Sequence, residues 1–249
     1  MQKMKLFKLK LLLLPLFVMA LFSACKKENS CDCIKRTGSI ITEIRHKSGF
    51  TEVFVENNLN VFITQDSSFE IKVEAGENIA GLITTEVENG VLYVRNKNRC
   101  NWTRSYDKPL NVYISMPVIT YITSDGTGNI KGTNAITTPA VDVQIKNSGN
   151  IELVLNNQVV RTHMHGSGDV TLHGYSHDHY CSIGGTAYLY ASNLETNYTF
   201  IDAFTLGTCS IKAKDLLICK LREQGDVYCY GLPATVEKDR QGTGQLYIK

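Results

Sequence analysis

Gly128-Asn129-Ile130 returns as Gly149-Asn150-Ile151 and again as Gly168-Asp169-Val170. Clear copies recur at Gly225-Asp226-Val227 and Gly244-Gln245-Leu246, with weaker ones between them at Gly185-Thr186-Ala187 and Cys209-Ser210-Ile211. The first residues of the seven copies are 21, 19, 17, 24, 16 and 19 apart. A period near twenty, flanked by strand-forming residues, marks a β-solenoid. Val141, Val143 and Ile145 alternate into one turn, and Ile151-Glu152-Leu153 or Val170-Thr171-Leu172 lead out of the next. Alternation sends one side of each strand inward and the other to solvent. One coil cannot bury its inner side alone. Coils stacked about 4.8 Å apart share one core and one hydrogen-bond ladder. Glycine at the bends is expected to supply backbone angles that side chains resist. The fold expected is all-β: a right-handed parallel β-helix (β-solenoid) with an irregular β portion at its start.

Upstream of the repeats the pattern is also β. Phe50, Val53 and Val55 precede the alternating Leu59-Asn60-Val61-Phe62-Ile63; then come Phe69-Glu70-Ile71-Lys72-Val73 and Val91-Leu92-Tyr93-Val94. Short β-branched and aromatic runs separated by Asn, Gly, Asp and Ser read as strands and turns. Asn89-Gly90 predicts a tight hairpin. No segment holds a helical period; the nearest, Glu77 to Ile83, is short. A polar loop from Asn96 to Pro109 carries the single Trp, Trp102.

The chain begins differently. Lys3, Lys5, Lys8 and Lys10 precede an apolar run from Leu11 to Phe22, then Ser23-Ala24-Cys25. This order is that of a secretory signal. The run is too short to cross a hydrocarbon core of about 30 Å as a helix. Leu21-Phe22-Ser23-Ala24-Cys25 is similar to a bacterial lipobox, in which the Cys is lipidated and becomes the mature N-terminus. Residues 1–24 are then a lipoprotein signal peptide, and residues 25–45 the lipidated Cys25 and a polar tether. The domain follows at 46–249, strand-rich over 46–120 and coiled over 121–249. Acyl chains would hold the domain in water at a membrane surface. Lys26 after the Cys, by analogy with other lipoproteins, favours the outer membrane on its periplasmic or surface face. A net charge of +2 points to no nucleic-acid partner.

Seven of the eight cysteines follow Cys25. An exported compartment permits disulfides. Cys181, Cys209, Cys219 and Cys229 fall in the repeats, where small buried hydrophobes are the preferred reading. By offset from their turns, Cys181, Cys219 and Cys229 match Ile145, Val143 and Leu172 of other coils.

Taken together, the opening strands and the turn completed at Gly166-Ser167-Gly168-Asp169-Val170 resemble the head GIN domain of auto-transporter adhesins, over roughly residues 46–249. The resemblance implies a β-helix that is exported or surface-associated, with an adhesin label that rests on fold alone. It departs at Thr186 and Cys209, where coils of irregular shape are expected.

Four sets of residues are candidates for chemistry. His163 and His165, with His177 and His179, form two His-x-His pairs able to hold Zn²⁺ or Cu²⁺ if they converge. Their offsets from the turns differ, and polar decoration of adjacent coils is the plainer reading. Trp102, Arg104 and Tyr106 can contact a sugar or protein, extended by Tyr188, Tyr190 and Tyr198, or can fold over an open end as a cap. The residues after the turn glycines, Asn129, Asn150, Asp169, Thr186, Ser210, Asp226 and Gln245, are read as corner supports rather than a Ca²⁺ ladder. Asp169, Arg161 and Asp226 are what a polysaccharide-degrading enzyme would use, if they met in a groove. Ser167 lacks the strand-to-helix elbow of a hydrolase. The sequence therefore reads as a binding or structural module without enzymatic activity or cofactor. Its expected partners are the membrane, through the lipid anchor, and a glycan or protein ligand.

Overall fold

The computed structural model describes residues 36–98 and 108–249. The signal segment, Cys25 and the tether to residue 35, Cys100, and the candidates Trp102, Arg104 and Tyr106 lie outside the described residues. The first part holds β1 (Ile40–Arg45), β2 (Glu52–Asn57), β3 (Asn60–Gln65), β4 (Glu70–Gly76), a one-turn helix α1 (Glu77–Ala80), β5 (Ile83–Glu88), β6 (Val91–Asn96) and β7 (Asn111–Met116). The second holds β8 (Tyr121–Gly126), β9 (Ile130–Ile136), β10 (Ala140–Ile145), β11 (Ile151–Met164), β12 (Val170–Gly185) and β13 (Leu189–Thr205). It ends with β14 (Cys209–Ile211), β15 (Ala213–Leu221), β16 (Val227–Cys229), β17 (Thr235–Arg240) and β18 (Leu246–Ile248).

Parallel pairing stacks these strands into rungs of a solenoid. From β8 onward each rung lies on the one before it, as β10 on β8, β11 on β9 and β12 on β11. The opening strands are rungs too, but out of chain order. β2 and β3 pair in parallel with β8 and β9 on one side and with β6 and β7 on the other. The chain lays down β2–β3 and goes to the end of the stack. It then returns through β6–β7 and steps past its own first rung to continue. Beyond β6–β7 the pairing turns antiparallel: β4 on β7, β1 on β4 and β5 on β6. The hairpin at Asn89-Gly90 is as expected, both residues having positive φ (52° and 81°). Strand β1 lies where the sequence reads as tether. It joins through its backbone and leaves Ile40 and Ile44 exposed, so it carries no hydrophobic pattern.

Inward positions form unbroken columns. One runs Val143, Thr162, Cys181, Ile201 and Cys219; its neighbour runs Ile145, Met164, Ile183, Ala203 and Leu221. All ten side chains are buried. Cys181 thus sits in the column of Val143, not of Ile145. The four repeat cysteines are free and buried, as the small-hydrophobe reading has it. Burial pushes the Cys209 and Cys219 thiols up to about 12.

The corner glycines are needed for a different reason from the one the sequence suggested. Gly128, Gly149 and Gly168 are not among the residues with positive φ. Each rung's corner instead sits directly on the carbonyl of the rung before it: a Cβ on Gly168 would run into the Gly149 oxygen, and one on Gly149 into that of Gly128. Register corrects two of the seven turns. Leu189 pairs with Val170, and Cys209 with Leu189. The fourth and fifth corners are therefore Ala187-Tyr188-Leu189 and Gly207-Thr208-Cys209, not the copies starting at Gly185 and Cys209.

Candidate functional site

The second half of each coil is bent without breaking its strand. In β11, β12 and β13, two adjacent residues face outward at the bend: Gln158-Val159, His177-Asp178 and Asn197-Tyr198. This bend separates the histidines that the sequence put on one face. His177 lies outside, its Nδ1 2.7 Å from Asp178 Oδ1 and its ring 5.1 Å from that of Tyr198. His179 lies inside, 1% exposed. Its Nε2 is 3.0 Å from both Thr162 Oγ1 and Cys181 Sγ, and burial lowers its pKa to about 3, so the imidazole is neutral. His163 is outward, in register with Gln144 and Ser182. His165 is exposed, with its ring 6.1 Å from that of Phe204. The four do not converge. Among the described residues no group of three or more His, Cys, Asp and Glu is placed to hold a metal ion.

The polar residues of the corners build the stack. Asn60 Oδ1 accepts the Asn129 N–H at 3.2 Å, Asn150 Oδ1 that of Asp169 at 2.9 Å, and Asp169 Oδ1 that of Tyr188 at 3.0 Å. Asp226 Oδ1 does the same for Gln245 at 2.8 Å. Each of these side chains supports the next rung's backbone, which is the structural role expected of Asn150, Asp169 and Asp226; Thr186 and Ser210 lie outside the corners, where register puts Tyr188 and Thr208.

Beside that ladder runs an outward column in continuous register: Tyr113, Phe62, Lys131, Glu152, Thr171, Tyr190, Ser210, Tyr228 and Tyr247. Between Phe62 and Tyr190 it forms a groove of about 520 Å³, floored by Asn60, Asn129, Asn150 and Asp169. Aromatic rings stand at both ends. Phe62 stacks on Tyr113, centroids 5.0 Å apart and 15° from parallel; Tyr190 lies 6.2 Å from Tyr188 at 7°. Tyr190 is 46% exposed. Burial among its neighbours, then the Asp169 carboxylate, pushes its phenol above the usual range, so it remains a donor. In the middle, Lys131 and Glu152 pair at 3.0 Å across adjacent rungs. Tyr188 and Tyr190, named from the sequence, belong to this surface. Tyr198 lies at the bend, and Phe62 escaped notice.

A second hollow of about 470 Å³ is lined by Tyr175, Glu195, Asn197, Lys212, Lys214 and Leu232. Its polar groups are largely engaged with one another: Lys212 with Glu195 at 2.6 Å, and Tyr175 Oη with Asn197 at 2.9 Å. The three residues of the enzyme alternative stay apart. Asp169 and Asp226 share a corner column but are three rungs, roughly 14 Å, from each other. Arg161 is on another face, bound to Asp142 at 3.2 Å.

A family model described as "Putative auto-transporter adhesin, head GIN domain" matches residues 49–233. No curated protein matches the chain. Among solved structures, one described as a "putative adhesin" from Bacteroides fragilis NCTC 9343 has a TM-score of 0.76 at 20% identity, over 86% of this chain and 100% of that one. A second "putative adhesin", from Parabacteroides distasonis ATCC 8503, gives 0.69 at 17%, again over 86% and 100%. A "putative lipid binding protein" from the same organism gives 0.68 at 17%, over 86% and 100%. At these identities the likeness is one of fold.

Proposed function

Because the chain belongs to the family described as "Putative auto-transporter adhesin, head GIN domain", we propose that it is an adhesin-like module of the cell envelope. Its stacked face receives an extended ligand, a glycan or a protein. The observation that carries this reading is the groove between Phe62 and Tyr190, which crosses five rungs and is walled by aromatics. Exposed aromatics beside hydrogen-bonding side chains are what such ligands require. The fold supplies a rigid platform: the groove's backbone is fixed by pairing to both neighbouring rungs, so little order has to be gained on binding.

Cys25 holds the module at the membrane in this reading, through lipid chains added after cleavage of residues 1–24. Two results test it. A Cys25→Ala chain expressed in a two-membrane bacterium should leave the membrane fraction and lose labelling by a fatty-acid analogue; unchanged fractionation and labelling overturn the anchor. The full-length chain in detergent, labelled and applied to glycan and extracellular-protein arrays, should be retained by one of the two. Retention by neither overturns the adhesin-like reading.

A further inference from the structure

Resting on that reading, the geometry points to a narrower ligand: we propose that the groove binds an uncharged oligosaccharide lying along the stacking axis, with one sugar ring against Phe62 and another against Tyr190. From Phe62 to Tyr190 there are four inter-rung steps, about 19 Å. An extended chain of about four sugars matches that length, since its repeat is close to the spacing between strands.

The end walls are shaped for sugar rings. Phe62 is held against Tyr113 on the side away from the groove and is in register with Lys131 on the groove side. Tyr190 is held parallel to Tyr188. A fixed flat ring offers its apolar face to the C–H face of a sugar at little entropic cost. The floor offers hydroxyl partners. The corner ladder uses the Asn60 and Asn150 oxygens and one Asp169 oxygen. The Asn60 and Asn129 side-chain amide N–H groups and the second Asp169 oxygen make no hydrogen bond among the described residues, and all three residues line the groove.

Charge excludes acidic sugars. Lys131 is neutralised by Glu152, and Asp169 adds an uncompensated negative charge. A uronic acid or sulfated chain would meet the Glu152 and Asp169 carboxylates, while Lys131, the cation that lines the groove, is already paired. Strand addition by a peptide is excluded by the backbone. The Ile130 N–H donates to Asn150, that of Ile151 to Asp169 and that of Val170 to Tyr188. No open strand edge exists in the groove for a peptide to join.

The test is calorimetric titration of the full-length chain in detergent with a panel of neutral tetrasaccharides (cellotetraose, maltotetraose, chitotetraose) and with tetragalacturonate. At least one neutral chain should bind, with tetragalacturonate at least tenfold weaker. Phe62→Ala and Tyr190→Ala should each weaken binding about tenfold. Tyr228→Ala, two rungs beyond the groove, should leave it unchanged, and circular dichroism checks that each variant is folded. Preference for the acidic sugar, or binding indifferent to Phe62 and Tyr190, overturns the proposal. So does failure of the whole neutral panel: with a protein retained on the arrays the broader reading survives, and with nothing retained both fall.

Discussion

At the β1 end of the stack the last strand puts Glu43 and Arg45 opposite the buried Val73 and Ile71. At the β17 end, Lys238 and Arg240 stand in register with the buried Cys219 and Leu221. Both outermost strands thus place charge where inner rungs place hydrophobes, a known guard against edge-to-edge pairing. What surrounds the charge differs. Arg45 is enclosed: it donates to the Ala80 carbonyl at 2.8 Å, to Glu43 at 2.9 Å and to the Ile83 carbonyl. Antiparallel β4, β1 and β5 cover that end. The Lys238 and Arg240 side chains make no ion pair or hydrogen bond among the described residues, and every residue of β17 is exposed. One end is closed by folded structure, and the other is defended by charge alone.

Because of that contrast, equivalent truncations at the two ends should differ most. Ile71 in β4 is fully buried, so Ile71→Ala should cost about 2–5 kcal/mol, the cavity being one the cap cannot collapse to fill. Val236 in β17 is 43% exposed, and Val236→Ala should stay within about 0.5 kcal/mol. Urea unfolding of both variants checks this. Equal losses would mean that the β17 end carries as much of the core as the capped one.

Acid sets both ends against the middle. The folded state holds His179 neutral down to about pH 3, whereas the unfolded chain protonates it near pH 6.5. Its contribution is therefore complete above about pH 6.5. It is lost as pH falls toward 3, at up to about 1.4 kcal/mol per pH unit. His179→Leu should flatten this part of the stability–pH curve. Parallel curves for the variant and the wild type would show that His179 takes up its proton without unfolding, and that the middle is no more acid-sensitive than the ends.

The same contrast explains what could be read from the sequence. The coils were legible because glycine, a polar corner residue and alternation are local signals. Two corners were misplaced because Ala187 and Thr208 lack the signature. Gly185 and Cys209-Ser210-Ile211 imitate it nearby, and only pairing between rungs tells them apart. The cap and the early rungs were hidden by distance: β2 and β3 stack on strands 69 residues later. Phe62 was missed for that reason, since nothing local links it to Tyr190. Once the rungs are aligned, the third residue after each corner glycine or its equivalent identifies the column.

Arg45→Met removes donors from two backbone carbonyls inside the cap and should cost about 1–3 kcal/mol. Arg240→Met removes no side-chain partner among the described residues and should leave the unfolding midpoint where it is. A comparable loss from both would show that Arg240 holds its end as firmly as Arg45 does, and the asymmetry would be gone.

The smallest effect on stability should come with a change in association. Lys238→Val and Arg240→Val together would extend two inward hydrophobic columns by one rung, onto a strand whose outer edge has no partner among the described residues. Burial gains little there because nothing covers the new side chains. The unfolding free energy should change by less than about 0.5 kcal/mol. What changes is the edge itself. A flat, apolar end strand offers its free N–H and C=O groups to another chain, and only the two cations resist that pairing. Sedimentation of the full-length chain in detergent should show the double variant associating as concentration rises, while the wild type does not. Adding salt should move the wild type in the same direction, because exposed charges more than about 10 Å apart are screened at 0.1 M. A double variant that sediments like the wild type would mean that something other than charge protects the β17 end, and the two ends would be finished more alike than they look.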